Sequence, residues 1–272
     1  MHASLRSEST VPGLGVYRDG GVLRIRFERP EKRNALSAEM RQALPGLIEA
    51  AGRDESVRAI LLSGEGEHFC GGADIVAQNA GGERPRVGSL QRRLPQEAHR
   101  LIPALLEVQT PVVCAVRGHA SGIGLHMALA ADFCLAADSA RFWEPFARRG
   151  FAADSGASWL LPRAFGLARA REMLLLGVEQ SGAQAAACGA IHRALPGAEL
   201  EGASEALVAE LAGSATVAVG LMKWCLRQAQ DASLEQALAN EAFALELSSR
   251  SRDFREGLKA FQEKREPKFE GR

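Results

Sequence analysis

Residues 111–132, PVVCAVRGHASGIGLHMALAAD, constrain the fold more than any other stretch. A short apolar run passes through closely spaced glycines and straight into a helix-forming segment. Upstream the order repeats: VRAILLSG (57–64), apolar enough for a strand buried on both faces, precedes the Gly-rich EGEHFCGGADI (65–75). VLRIRFERP (22–30) alternates instead, with Leu23, Ile25 and Phe27 on one face of a half-buried strand that Pro30 ends. SAEMRQALPGLIEAAGRD (37–54) reads as a helix with Ser37 as N-cap and a bend at Pro45. Apolar residues at 94, 98, 101 and 105 predict a helix over 91–108. FCLAAD (133–138) and ARFWEP (140–145) read as two short strands. Strands and helices in this alternation predict an α/β layered core.

Beyond residue 201 the strand signals stop. SEALVAELAG, AVGLMKWCLRQAQ, LEQALANEAFALELSSR and REGLKAFQEKR are amphipathic helices, too apolar to be satisfied by one small helical unit. Part of that surface is expected to meet the core or another subunit. The expected organisation is a flexible, frayed N-terminal arm over 1–13, a core over 14–200 and a helical region over 201–272. With 33 basic and 33 acidic residues the chain has no global field to draw nucleic acid or an anionic membrane. The N-terminus has no apolar signal region, and no stretch approaches the ~20 apolar residues of a membrane span. Five scattered cysteines without a CxxC pair argue against a zinc site or disulfide framework and suit a reduced, cytoplasmic compartment.

Dinucleotide, phosphate-loop and nucleophile-elbow signatures are missing. What remains is the pair of Gly-rich loops, HFCGGADI and GHASGIG, each after an apolar strand. Glycine lets backbone approach a ligand closely. One N–H from each loop could converge on an oxygen as it gains negative charge, forming an oxyanion hole. The second loop opens a helix, whose dipole favours an anion there. Either loop alone is better read as ordinary turn chemistry.

With their flanks, the loops carry a resemblance. RPEKRNALSAEM, HFCGGADI, PVVCAVRGHASGIGLHMALAAD, ARFWEPFARRGFAADSGASWLLPRAFGLARAREMLLLG and the closing EGLKAFQEKREPKF resemble, in order, the crotonase superfamily, the enoyl-CoA hydratase/isomerase family. The resemblance spans about residues 16–270. It implies a spiral of ββα units, a C-terminal region that builds trimers or dimers of trimers, and an acyl-CoA thioester substrate. Coenzyme A would be part of that substrate, and no separate cofactor or metal is implied. The oxyanion donors would be the amides of Ala73 and Ile123. Arg29, Lys32, Arg33 and Ala35 fall on the CoA-contacting segment. Gly72, Asp74 and Ile75 fall beside adenine and pantetheine, Gly122 and Phe146 are further substrate- or CoA-binding positions, and Phe261 and Lys264 fall on a C-terminal pair closing over the nucleotide. From local sequence alone, the basic residues are a solvated face mixed with Glu31 and Glu263.

The chain departs from that pattern in two ways. Ile123 stands where the family's second loop has a glycine, and its side chain must be housed. The two glutamates that hold water in typical hydratases fall on His126 and Phe146. Asp154 matches the aspartate of double-bond isomerases in the superfamily. Near Phe146, Phe151 and Trp159 it is expected to be desolvated and suited to moving a proton. In local terms Asp154-Ser155-Gly156 also reads as a turn or helix N-cap. A dehalogenase branch of the superfamily pairs such an aspartate with a histidine that maps to His99, otherwise a partly buried helical histidine. His126, at a helix N-terminus, is equally an acid/base candidate or a packed polar residue. Glu144, two residues before Phe146 on an expected strand, is a reserve carboxylate. Isomerisation is the leading expectation. Atypical hydration, hydrolysis through Asp154 and His99, and acyl-CoA binding without catalysis stand beside it. Residues 76–92, polar and Gly-rich, are expected to form a lid over the acyl pocket.

Overall fold

A computed structural model describes residues 7–75 and 86–272. Nine strands and eleven α-helices occur among them. The order is β1 (Leu14–Asp19), β2 (Val22–Phe27), α1 (Ala38–Arg53), β3 (Ala59–Gly64), α2 (Ser89–Arg93), α3 (Leu101–Glu107), β4 (Val112–Val116), β5 (His119–Ser121) and α4 (Ile123–Ala130). It continues with β6 (Phe133–Ala137), β7 (Arg141–Trp143), α5 (Ala157–Phe165), α6 (Leu167–Leu176), β8 (Gln180–Ser181), α7 (Gly182–Ala187) and β9 (Arg193–Leu195). Four helices close the chain: α8 (Leu200–Gly213), α9 (Thr216–Ala229), α10 (Leu234–Ser248) and α11 (Arg252–Glu263).

The strands form two sheets: β1-β2-β3-β4-β6-β9, parallel except for the β1–β2 hairpin, and the small sheet β5-β7-β8. β4 and β5, then β6 and β7, are consecutive in the chain but lie in different sheets, each pair followed by a helix. That is a spiral of ββα turns. Isolated bridges Leu36↔Ala73 and Cys70↔Ala120 extend the small-sheet layer to the first Gly-rich loop. The alternation read from β2 holds: Leu23, Ile25 and Phe27 are buried, Arg24 and Arg26 only partly. Ser37 caps α1 by accepting from the Met40 amide, and Pro45 is accommodated inside the helix.

Three expectations need correction. Residues 91–108 do not form one helix: α2 gives way to 3-10 turns at Leu94–Gln96 and Ala98–Arg100 before α3 begins. Pro95 supplies no amide donor, so a continuous ladder is interrupted there. Residues 7–9 are not frayed: Glu8 N–H donates to the Val16 carbonyl at 2.8 Å, and Ser7 Oγ accepts from Val16 N–H. The stretch HASGIG, read as loop, contains the strand β5. Of the expected lid, residues 76–85 lie outside the described residues, and residues 89–92 fall within α2.

α8 packs across β3, β4 and β6, so the helical region begins on the core sheet itself. Beyond it, α9, α10 and α11 expose large apolar side chains, among them Leu226, Leu234, Leu238, Phe243, Leu245 and Phe261. No single helix among the described residues is long and apolar enough to cross a membrane.

Candidate active site

The first Gly-rich loop is held from both sides. Phe69, fully buried and edge-on to Phe27 at 5.5 Å, anchors its start. Cys70 N–H donates to the His119 carbonyl at 2.9 Å, and Ser121 N–H donates to the Cys70 carbonyl at 3.0 Å. On the other side Gly71 N–H donates to Arg33 O, Leu36 N–H to Gly72 O and Asp74 N–H to Leu36 O. This register leaves the Ala73 amide pointing away from residue 36, with no protein acceptor among the described residues. The Ile123 amide opens α4, so no preceding turn can accept from it, and it too has no protein acceptor among the described residues.

Glycine is obligatory where the loops touch. A Cβ on Gly72 (φ 97°) would stand 3.0 Å from the Ser121 carbonyl, and one on Gly124 would stand 2.6 Å from the Cys70 carbonyl. Gly122 takes φ 52°, ψ −124°, a conformation that side chains disfavour. The Ile123 side chain is buried in the hydrophobic core cluster, which answers where it is housed. The Cys70 thiol between the loops is pushed up to about 12 by burial and stays protonated at neutral pH.

The segment before α1 lies along this loop. Asn34, fully buried in a left-handed conformation (φ 56°), donates to the Glu65 and His68 carbonyls while its Oδ1 accepts from Arg29 N–H. It thereby sets Arg29, Lys32, Arg33 and Ala35 beside Gly72, Asp74 and Ile75. Arg29 is not a free cation: it pairs with buried Asp74 at 2.9 Å and donates to the Ala35 carbonyl. Lys32 stands 3.5 Å from Asp74 and is half-exposed, and Arg33 is exposed.

Asp154 lies in the turn that enters α5. Ser155 (φ 50°) and Gly156 (φ 89°) are both left-handed, an uncommon geometry for serine. The N-cap of α5 is Gly156 and no side chain caps the helix, so Asp154 is not a capping residue. Its carboxylate is half-buried and has no hydrogen bond or ion pair among the described residues. The surroundings are more charged than an apolar pocket. Trp159 carries Arg163 at 4.0 Å and Arg227 at 5.3 Å over its ring. Arg41 on α1 is buried and donates to the Leu36 carbonyl at 2.9 Å; burial pushes its guanidinium down, and the carboxylates of Glu97, Asp154, Asp74 and Glu39 oppose that.

His126 and Glu144 meet. His126 Nε2 and Glu144 Oε1 are 2.8 Å apart and both side chains are fully buried. The Phe146 ring lies nearly parallel to His126 (15°, centroids 6.3 Å) and meets Phe151 edge-on at 5.4 Å. β7 stops at Trp143 and Pro145 follows, so Glu144 and Phe146 do not lie on a regular strand. Both side chains nevertheless turn inward and meet His126.

His99 is placed elsewhere. It lines a cavity of about 540 Å³ with Glu49, Gly52 and Arg53, which contains neither Asp154 nor any residue of the two loops. A cavity of about 640 Å³ lies between β2, β3, β4 and α8, lined by Arg24, Arg26, Arg117 and Glu205, and likewise contains none of the loop residues. The candidate site is therefore defined by its converging donors rather than by these two depressions. Phe261 is exposed, and Lys264 ends α11 in a left-handed conformation (φ 55°). No hydrogen bond or ion pair among the described residues joins either of them to Arg29–Ala35.

Arg41 and Asn34 escaped the sequence reading. Arg41 had a signal, since it falls on the buried α1 stripe with Leu44 and Ile48. Asn34 had a weaker one, as asparagine tolerates left-handed backbone.

Comparison with known proteins places this geometry. The profile of the family described as enoyl-CoA hydratase/isomerase matches residues 17–272. A 1,2-epoxyphenylacetyl-CoA isomerase from Escherichia coli K12 is 36% identical over 254 residues, 93% of this chain and 96% of the relative. A probable enoyl-CoA hydratase from Rhodobacter capsulatus is 39% identical over 252 residues, 93% of this chain and 95% of the relative. The crystal structure of a putative enoyl-CoA hydratase from Streptomyces coelicolor A3(2) superposes with a TM-score of 0.87 at 33% identity, covering 100% of both chains.

Proposed function

Because the chain belongs to the enoyl-CoA hydratase/isomerase family of the crotonase superfamily and is an enzyme of that family, we propose that it shifts a double bond in an acyl-CoA thioester, with Asp154 as acid/base. The observation that carries this reading is the pair of unengaged amides, Ala73 and Ile123, on loops bridged through Cys70 and Ala120. The thioester oxygen sits between them. Asp154 takes a proton from an activated carbon of the acyl group, and the C–H electron pair passes through the conjugated system to that oxygen. When the pair returns, a different carbon takes the proton back from Asp154 and the double bond has moved. A donor of this kind is worth about 3 kcal/mol in the transition state. The name of the E. coli relative, an isomerase, supports this choice over hydration.

Coenzyme A enters as part of the substrate, along Arg29–Ala35 and Gly72–Ile75. Arg33 and Lys32 face its phosphates, while the Arg29–Asp74 pair holds the two segments together. The exposed apolar side chains of α9, α10 and α11 support self-association as trimers or dimers of trimers, in which Phe261 and Lys264 approach a nucleotide. The free cysteines suit the cytoplasm.

Hydration has one observation in its favour: the Glu144–His126 pair keeps a carboxylate beside the position of a family glutamate. Turnover of unsaturated acyl-CoAs in deuterium oxide and oxygen-18 water separates the readings. Isomerisation exchanges carbon-bound protons without gaining oxygen-18. Asp154→Asn is expected to lower kcat by about 10²-fold or more, as loss of a general acid/base does. Unchanged turnover by that variant removes Asp154 from the mechanism. Tight CoA-ester binding without turnover would make the protein a binding module.

A further inference from the structure

The buried His126–Glu144 pair is unsettled by folding arguments. Both side chains are fully buried, yet His126 Nδ1 and Glu144 Oε2 have no hydrogen-bond partner among the described residues. A pair with two unsatisfied polar atoms gains little stability over apolar side chains of similar volume. Its place in the fold is specific, however. Gly122 N–H donates to the Trp143 carbonyl at 3.0 Å, and His126 N–H donates to the Gly122 carbonyl at 3.0 Å, closing the first turn of α4. One residue along from Trp143, Glu144 takes hold of the His126 side chain at 2.8 Å. The turn that carries the Ile123 amide is thus fastened at both ends to the same two-residue segment, once by backbone and once by side chain. Phe146 packs alongside, its Cζ 3.7 Å from where a Gly122 Cβ would be.

We infer that His126 and Glu144 are positioning residues that aim the Ile123 amide at the thioester oxygen. This rests on the oxyanion reading of the site. The pair acts through the turn: its link to Glu144 fixes the rotation of the first turn of α4 and hence the direction of that N–H. Without it, the buried Ile123 side chain and the Gly122 bond still hold the turn in place, but the tie that sets its rotation is gone and the amide swings off line. Buried groups that hold a donor in productive geometry matter to rate because small misplacements are costly.

The test uses 4-(dimethylamino)cinnamoyl-CoA, whose absorbance moves to the red when its thioester carbonyl is polarised. Wild type is expected to bind it with a red shift. The double variant His126→Leu/Glu144→Leu is expected to keep the wild-type melting temperature or exceed it, to bind the probe, and to lose at least half the shift. Its kcat is expected to fall about tenfold or more with KM changed less than about twofold, the signature of a donor misplaced in the transition state. Glu144→Gln, which keeps a hydrogen-bonding partner for His126, is expected to retain the shift. A double variant that fails to fold, or one with the full shift and kcat, overturns the clamp alone. A probe that binds wild type with no shift overturns the oxyanion reading and the clamp with it.

Discussion

Gly124→Ala gives opposite signs for two physical accounts. Gly124 is in the second position of α4, where alanine's helix propensity favours the variant by about 1 kcal/mol. The added Cβ, however, would stand 2.6 Å from the Cys70 carbonyl oxygen and 2.8 Å from Cys70 Cβ, both part of the facing loop. Restoring an ordinary 3.4 Å contact needs a displacement of 3.4 − 2.6 = 0.8 Å. Overpacking of this kind costs about 1–3 kcal/mol. The net expectation is a loss of up to about 2 kcal/mol, or up to roughly 4 °C in melting temperature. The catalytic loss is larger, because Cys70 leads to Ala73 and a shift near 1 Å misplaces one amide against the other, costing about 10²-fold in kcat. Denaturant unfolding and steady-state turnover of an unsaturated acyl-CoA measure the two effects. A variant that is more stable than wild type and turns over within about threefold of it would refute the close approach of the two loops.

Two further outcomes are expected from charges outside the site. Lys223 on α9 reaches Asp132 at 2.7 Å and donates to the Leu105 and Thr110 carbonyls, and Asp132 also accepts from Val112 N–H. Lys223→Met strands a largely buried carboxylate and is expected to cost about 2–4 kcal/mol, discounted for its partial exposure. Burial raises the Asp132 pKa, so the loss is expected to be full at neutral pH and to shrink as pH falls through the folded value, as urea unfolding at several pH values would show. On α11, Arg265 holds Glu256 down to about 2 from an ordinary 4.5. This contribution is present above the unfolded value and is lost as pH falls toward about 2. Arg265→Gln is expected to raise the Glu256 pKa by NMR, short of its ordinary value because the Lys268 amide still donates to that carboxylate.

The parts of this fold legible in the sequence were those governed by local physics. β2 announced itself through period-two burial, α1 through Ser37, and the two loops through glycines that the structure needs for contacts under 3.1 Å. The order of elements predicted only an α/β layered core, and the spiral came from the family resemblance. What stayed hidden depends on meetings between distant residues. Glu144 and His126 are 18 positions apart, and neither local sequence shows that the two meet. Arg41 gains significance only when α1, the first loop and the Asp154 turn converge on it. His99 lies on a helical flank, and only the packing of α3 beside α1 shows that it faces a depression containing neither Asp154 nor the two loops.

A crystal structure with a saturated acyl-CoA thioester, which keeps the carbonyl oxygen but has no double bond to move, tests the central claim most directly. The account expects that oxygen within about 2.7–3.1 Å of both the Ala73 and Ile123 nitrogens, with the Asp154 carboxylate facing the acyl carbons. An acyl group bound with its carbonyl turned away from either amide would contradict it.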